Sequence, residues 1–373
     1  MKFPTRCVQL GRGDDAHGAI VPPIYQTATF EQPTATEFGE FDYTRSGNPT
    51  RALLEAQLAD LEGANHACAF ASGMAALTAV TRIVKTGEEI IAGDDLYGGT
   101  VRLLDRLASH QNISVRYADT TDVNELKSAV TNRTRLILIE TPSNPLFRIS
   151  DIRALAPIAK DAGIYLAVDN SMLSPVLQQP LSLGADVVVH SATKFLCGHS
   201  DVTAGALITN NPALHQQFAF QQNAEGAALS PFESWLLLRG LKTLALRVER
   251  QNDSAGKIVR FLQTRPEVTN VFYPGLGAVI SFTTGDAKLS AAIVETTRLF
   301  KVAVSFGSVG STISLPCRMS HASIPSALKD RLAPPSDLVR LSVGIEDPDD
   351  LILDLERAFA ANYRAEQLEE AVQ

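Results

Sequence analysis

Cysteine is scarce in this chain and never closely paired. The 373 residues hold four, Cys7, Cys68, Cys197 and Cys317, with no CxxC among them. That excludes a disulfide framework and a zinc ribbon, and it reads as reduced thiols in a cytosolic protein. No run approaches the roughly 18 apolar residues of a membrane-spanning helix. Positive charge is in deficit: 33 Lys and Arg against 41 Asp and Glu leave a formal net charge of −8. Nothing therefore draws the chain to a nucleic-acid backbone, and any anionic ligand must be held by a specific pocket. The start, Met1 to Cys7, lacks the apolar stretch of a secretory leader, and Ala371-Val372-Gln373 is no retention or peroxisomal address. The expectation is a cytoplasmic protein whose partners include neither membrane nor nucleic acid.

What is present is ordinary globular composition, 45% hydrophobic and 20% charged, enough for the cores of two or three domains. Residues 1–50 are rich in Gly, Pro and Thr and read as an extended arm. From residue 51 helical and strand-like patterns alternate. Leu53, Leu54, Leu58 and Leu61 have helical spacing, with Gly63 as a stop. Residues 73–84 read as a helix capped by Ser72, and 100–109 and 152–162 as further helices. Glu89–Ala92, Arg135–Glu140, Tyr165–Val168 and Asp186–His190 are short apolar runs of the kind that form parallel strands buried on both faces. Residues 232–264 read as mostly helix. A smaller unit follows, with strands over 268–273, 278–284 and 339–343 and helices over 287–299 and 349–361. The fold class is α/β, with an open sheet and a boundary near 240–245; ligands in such sheets bind beyond the carboxyl ends of the strands.

Several constellations are missing there: no GxSxG elbow, no GxGxxG, and Trp235 where a phosphate loop ending in Gly240-Leu241-Lys242-Thr243 would need glycine. His190, Cys197, His199 and Asp201 match no standard zinc spacing, so no metal is expected. What remains is Lys194 after one strand, Asp169 at the end of another, and Ser72-Gly73-Met74 opening a helix. The lysine amine can condense with an aldehyde. The buried carboxylate needs a cation, which a protonated pyridine nitrogen supplies. The helix start offers N–H groups and positive dipole to a phosphate, with Ser191 and Thr193 adding hydroxyls. Aldehyde acceptor, pyridinium partner and phosphate cradle are the three demands of pyridoxal 5′-phosphate.

Ser191-Ala192-Thr193-Lys194-Phe195-Leu196-Cys197-Gly198-His199-Ser200-Asp201 resembles the lysine signature of the Cys/Met-metabolism pyridoxal-phosphate enzymes. The likeness runs along nearly the whole chain, through Tyr43–Thr50, Ala71–Ala76, Tyr97–Thr100, Glu140–Pro145, Val168–Asn170 and Arg340–Glu346. Gln222–Gly226, Ser305–Val309 and Pro316–Pro325 resemble most the plant-type branch of the family that cleaves cystathionine at Cβ. The resemblance implies an aspartate-aminotransferase-like fold (pyridoxal-phosphate fold type I), with a mostly parallel large domain over 51–242 and a small α/β domain over 243–373. It implies homodimers or homotetramers with shared active sites, the arm 1–50 serving the neighbouring subunit.

By the same resemblance Lys194 holds the cofactor covalently and Asp169 pairs with its ring nitrogen, while Tyr97 stacks on the ring. Ser72, Gly73, Met74, Ser191 and Thr193 hold the phosphate, reached by Tyr43 and Arg45 of the neighbour. Arg340 grips the substrate α-carboxylate, and Asn144 and Ser305 support the cofactor ring and that carboxylate. The implied reaction is β-elimination of L-cystathionine to homocysteine, pyruvate and ammonia in methionine metabolism.

The alternatives are γ-synthase, γ-lyase and sulfhydrylase chemistry of the same family, and a cofactor-binding relative that turns over poorly. Gly99 stands where methionine γ-lyases carry cysteine, and Gly310 where many relatives carry Glu. After Tyr273-Pro274-Gly275-Leu276 the chain lacks a family segment of roughly fifteen or more residues, and a tight hairpin is expected instead.

Overall fold

The strand-like runs assemble into one seven-stranded sheet in a computed structural model, which describes residues 1–9, 17–322, 324 and 332–370, the last nine by backbone alone. Its strands are β1 (His66–Phe70), β2 (Glu89–Gly93), β3 (Ser114–Ala118), β4 (Thr134–Glu140), β5 (Tyr165–Asp169), β6 (Val187–His190) and β7 (Gly205–Thr209), in the order β1-β7-β6-β5-β4-β2-β3. β2 runs parallel to β3 and β4, and β5 parallel to β6. β7 is antiparallel to both β1 and β6. Every residue of β2 and β6 is buried, as expected of strands covered on both faces.

The sequence pattern did not announce β1, β3 and β7. β1, His-Ala-Cys-Ala-Phe, has no β-branched residue, and β3 is an edge strand that exposes Arg116. β7 opens on Gly205, whose missing Cβ lets the Ser72 carbonyl approach, so its first residue is chosen for clearance rather than strand propensity.

The chain divides into two compact units. The first comprises Met1–Gly93, Leu107–Ile139 and Ser150–Ala245; the second comprises Asp94–Arg106, Glu140–Ile149 and Leu246–Gln373. The arm is not wholly extended: it opens with α1 (Phe3–Val8), and a bridge pairs Thr29 with Tyr43. α2 (Pro49–Glu62) starts where Asn48 accepts from Thr50 and Arg51 N–H and stops at Gly63, left-handed at φ +70°. α3 (Gly73–Thr81) is shorter than the spacing predicts, because the chain turns at Arg82. α4 (Gly98–Gln111), α5 (Val123–Ala129) and α6 (Ile152–Asp161) follow, then α7 (Ser174–Leu177) and α8 (Pro212–Ala224). The long helical region resolves into α9 (Pro231–Leu241) and α10 (Leu244–Leu262).

The second unit carries a five-stranded sheet in the order β10-β11-β12-β9-β8. Its strands are β8 (Asn270–Phe272), β9 (Val279–Thr283), β10 (Lys301–Val302), β11 (Thr312–Ser314) and β12 (Val339–Ser342). α11 (Ala287–Thr296) and α12 (Pro348–Glu370) belong to the same unit, and Ile258, Phe282, Ile293, Leu341 and Phe359 are fully buried in its core. β8 and β9 form the expected antiparallel hairpin, pairing Phe272 with Ser281. Its turn is closed by Tyr273 Oη donating to the Gly277 carbonyl at 3.0 Å and Gly277 N–H donating to Asn252 at 2.8 Å. The shorter connection thus has its own hydrogen bonds.

Candidate active site

In the first unit the site grows from the pairing of β5 with β6. Asp169 lies opposite Val189 in a parallel ladder, so both strands deliver their following residues to the same edge. Asn170 N–H donates to the Val189 carbonyl at 2.9 Å and holds the two exits together. Asp169 is 9% exposed, and its Oδ1 accepts from Ser171 N–H at 2.9 Å. Ser171 Oγ in turn accepts from Ser191 N–H at 2.6 Å. Beyond Ser191 the chain turns: Lys194 N–H donates to the Ser191 carbonyl, and the Lys194 carbonyl accepts from Gly198. Thr193 Oγ1 accepts from Ala204 N–H at 2.9 Å and donates to the Ala204 carbonyl at 3.2 Å, pinning the turn.

Ser72 caps α3 by accepting from Ala75 N–H at 3.1 Å. A Cβ on Gly73 would stand 2.8 Å from Ser191 Cβ, and one on Gly205 would stand 2.2 Å from the Ser72 carbonyl oxygen. Two glycines therefore allow the start of α3 to lie against the lysine-bearing turn. Met74 is half-buried in the first turn of α3. Asp169, Lys194, Ser72, Gly73, Ser191 and Thr193 are thus brought to one strand edge. Burial pushes the Asp169 pKa up; the hydrogen bonds from Ser171 and the charges of His190 and Lys194 pull it back.

This edge fits pyridoxal phosphate. A desolvated carboxylate asks for a cation, an amine stands close enough for its charge to act on it, and a helix start cleared by glycine offers N–H groups to a phosphate. His190, Cys197, His199 and Asp201 are engaged otherwise. His190 meets Glu62, Cys197 Sγ donates to Asp201, and His199 Nδ1 lies against the Cys197 carbonyl.

Tyr43 and Arg45 are held elsewhere in the first unit. Arg45 donates twice to Asn223, to its carbonyl and to Oδ1, each at 2.8 Å, with its guanidinium 5.4 Å from the Tyr43 ring. Arg51, buried in α2, donates to the carbonyls of Thr44 and Arg45 and fixes this part of the arm.

In the second unit Tyr97, Asn144, Ser305 and Arg340 come together around a buried guanidinium. Arg340, on β12, is 2% exposed. Its Nη1 donates to Asn144 Oδ1 at 2.8 Å, its Nη2 to the Ser305 carbonyl at 3.1 Å, and the Phe306 ring lies 5.5 Å away. Ser305 adopts φ +83°, a costly conformation for a non-glycine residue, and presents that carbonyl. Burial lowers the Arg340 pKa to about 10, while the charges of Glu140 and Tyr97 act the other way. Tyr97 N–H donates to Glu140 Oε2 at 2.9 Å.

The sequence reading assigned no role to His321, Glu140 or Ser171. His321 Nε2 lies 3.1 Å from the Asn144 carbonyl and Nδ1 lies 2.9 Å from Ser320 Oγ. Burial, with the Arg340 charge second, lowers its pKa to about 4, so at neutral pH it is an uncharged donor to Asn144. The sequence signal was available, since His321 lies in the Pro316–Pro325 segment; of that segment Ser323 and Pro325 lie outside the described residues.

Residues 4–360 match the family model described as Cys/Met metabolism PLP-dependent enzyme. The chain is 50% identical over 371 residues to the chloroplastic cystathionine β-lyase of Arabidopsis thaliana, covering 95% of this chain and 80% of that protein. It is 43% identical to a cystathionine γ-lyase of Bacillus subtilis, over 96% of this chain and 97% of that one. The crystal structure of cystathionine γ-synthase from Xanthomonas oryzae pv. oryzae in complex with cystathionine superimposes with a TM-score of 0.95 at 38% identity, over 98% of this chain and 99% of that one. This chain belongs to the Cys/Met-metabolism family of pyridoxal-phosphate-dependent enzymes.

Proposed function

We propose that this enzyme is a carbon–sulfur lyase that cleaves L-cystathionine by β-elimination to homocysteine, pyruvate and ammonia, a step of methionine biosynthesis. The observation that carries the reading is the hydrogen-bonded run from Asp169 through Ser171 to Ser191, which sets an acid and the Lys194 turn at one edge. Similarity to named β-lyases at 50% identity supports the choice of bond.

When bound, pyridoxal phosphate supplies an electron-withdrawing ring that stabilises negative charge on the substrate Cα. Lys194, Asp169, Ser72, Gly73, Met74, Ser191 and Thr193 are the residues that would hold it. Asp169 keeps a proton on the ring nitrogen, and the Lys194 amine removes the Cα proton. In the second unit Arg340 offers both guanidinium nitrogens to the α-carboxylate, a match of planar fork to planar acid. Its hydrogen bonds to Asn144 and Ser305 go to neutral oxygens, which suits a cation that also meets an anionic substrate group. The Cβ–S bond then breaks with homocysteine leaving as the thiolate, and the remaining three-carbon fragment takes up water to give pyruvate and ammonia.

The reading includes self-association as a homodimer or homotetramer, with Tyr43 and Arg45 serving the neighbouring subunit's phosphate site. A reducing setting, the cytoplasm, suits four free thiols, three of them buried.

Identification of the keto acid released from cystathionine by the purified holoenzyme tests the proposal. Pyruvate with homocysteine is expected. 2-Oxobutyrate with cysteine would transfer the chain to the γ-lyase reading, which similarity to the Bacillus subtilis γ-lyase supports.

A further inference from the structure

The edge that carries Asp169 and Lys194 rests on a carboxylate that the chemistry above leaves unused. Glu62 is the last residue of α2, with its side chain 1% exposed. Its Oε1 accepts from Asn170 Nδ2 at 3.1 Å and lies 2.6 Å from His190 Nε2. Asn170 is the residue after Asp169, and His190 is the residue before Ser191. Both are buried, at 0% and 1% exposure. Gln178 locks the Asn170 amide from the other side, accepting at its carbonyl at 2.8 Å and donating from Nε2 at 3.1 Å.

Packing alone does not account for this arrangement. Among the described residues, Glu62 Oε2 and His190 Nδ1 are buried without a hydrogen-bond partner, an expense that an apolar pair would avoid. One oxygen nevertheless reaches the ends of two neighbouring strands at the point where each hands over to the proposed site.

We propose that Glu62 is a positioning residue: its Oε1 ties Asn170 to His190 and so sets the separation of Asp169 from the Ser191–Lys194 turn. The inference rests on the assignment of Asp169 and Lys194 to the cofactor. Burial and the Ser171 hydrogen bonds act most strongly on Asp169; His190 and then Lys194 act on it as well, and His190 belongs to the clamp itself. Releasing the clamp alters both the spacing and the field at Asp169. Glutamine keeps the accepting oxygen in place; leucine removes it at similar bulk.

The test uses the holoenzyme loaded with pyridoxal phosphate and two variants, Glu62→Leu and Glu62→Gln. Glu62→Leu should lower kcat for cystathionine at least tenfold with KM within threefold. It should also move the pH midpoint of the cofactor's visible band by half a unit or more. Glu62→Gln should restore kcat to within threefold of the parent. A folded Glu62→Leu with the parent's band, midpoint and kcat, altered only in thermal stability, overturns the proposal. Should Glu62→Leu fail to fold, Asn170→Ala leaves the Glu62–His190 pair in place and should move the same midpoint with at least a threefold loss of kcat. An unchanged midpoint and kcat in that variant overturn the proposal equally. A parent enzyme that bound the cofactor but released no pyruvate would remove the proposed reaction while leaving the band readout intact, so the two failures are distinct.

Discussion

The edge around Lys194 in the first unit is built mainly from backbone groups, hydroxyls and glycines, whereas the pocket around Arg340 in the second is built from large side chains. At the first, clearance decides: a Cβ at position 73 or 205 would collide with Ser191 or Ser72. At the second, charge decides: a fully desolvated guanidinium meets an amide oxygen, a backbone carbonyl, a neutral imidazole one residue removed, and an aromatic face. The contrast teaches where each can fail. Steric change should damage cofactor retention, and loss of charge should damage substrate binding.

The largest expected effect is at Lys194. Lys194→Ala should abolish both turnover and the visible absorption of the bound cofactor, checked by spectrum and pyruvate release. Pyruvate release at the parent's rate would remove the lysine from the mechanism. Next is Arg340→Ala. Losing one partner of a buried, charge-assisted contact costs about 3 kcal/mol, or roughly 150-fold in kcat/KM for cystathionine, expressed chiefly in KM. Arg340→Lys should recover only part of this, because an ammonium cannot make the two parallel bonds. An unchanged KM in both variants would move carboxylate binding elsewhere.

His321 sharpens the comparison through pH. Its folded-state pKa, about 4, lies below the ordinary 6.5. The stability it contributes is therefore whole above pH 6.5 and is lost as pH falls toward 4, because the unfolded chain takes up the proton first. Between pH 7 and 4.5 that loss is about 2.5 kcal/mol. Urea unfolding of the parent and His321→Gln at both values should show a smaller drop for the variant; equal drops would contradict the assignment. The smallest effect is expected at Gly73→Ala, where the added methyl must displace Ser191. Cofactor affinity should fall about tenfold, a cost of about 1.4 kcal/mol, measured by release on dilution.

The first of these regions was largely legible in the sequence, and the reason is distance along the chain. Asp169 ends β5 and Lys194 lies in the turn just after the neighbouring parallel strand β6, so the period of Tyr165–Val168 and Asp186–His190 carried them to one edge. Ser72 could be read as a cap because capping is local. The Arg340 pocket joins residues near 97, 144, 305, 321 and 340, and no local period links them. The resemblance supplied Tyr97, Asn144, Ser305 and Arg340, but not the neutral His321 behind Asn144. Likewise β1 and β7 were missed because each is held by pairing to the other, not by its own propensity. The clamp at Glu62 was invisible for the same reason: α2, β5 and β6 meet there from positions 62, 170 and 190.

The central claim is that the amine at position 194 is the one that carries the cofactor. Borohydride trapping of the holoenzyme followed by peptide mass spectrometry tests it directly. The pyridoxyl adduct is expected on the peptide containing Ser191-Ala192-Thr193-Lys194, at the lysine. An adduct on any other lysine, with Lys194 unmodified, would contradict the account.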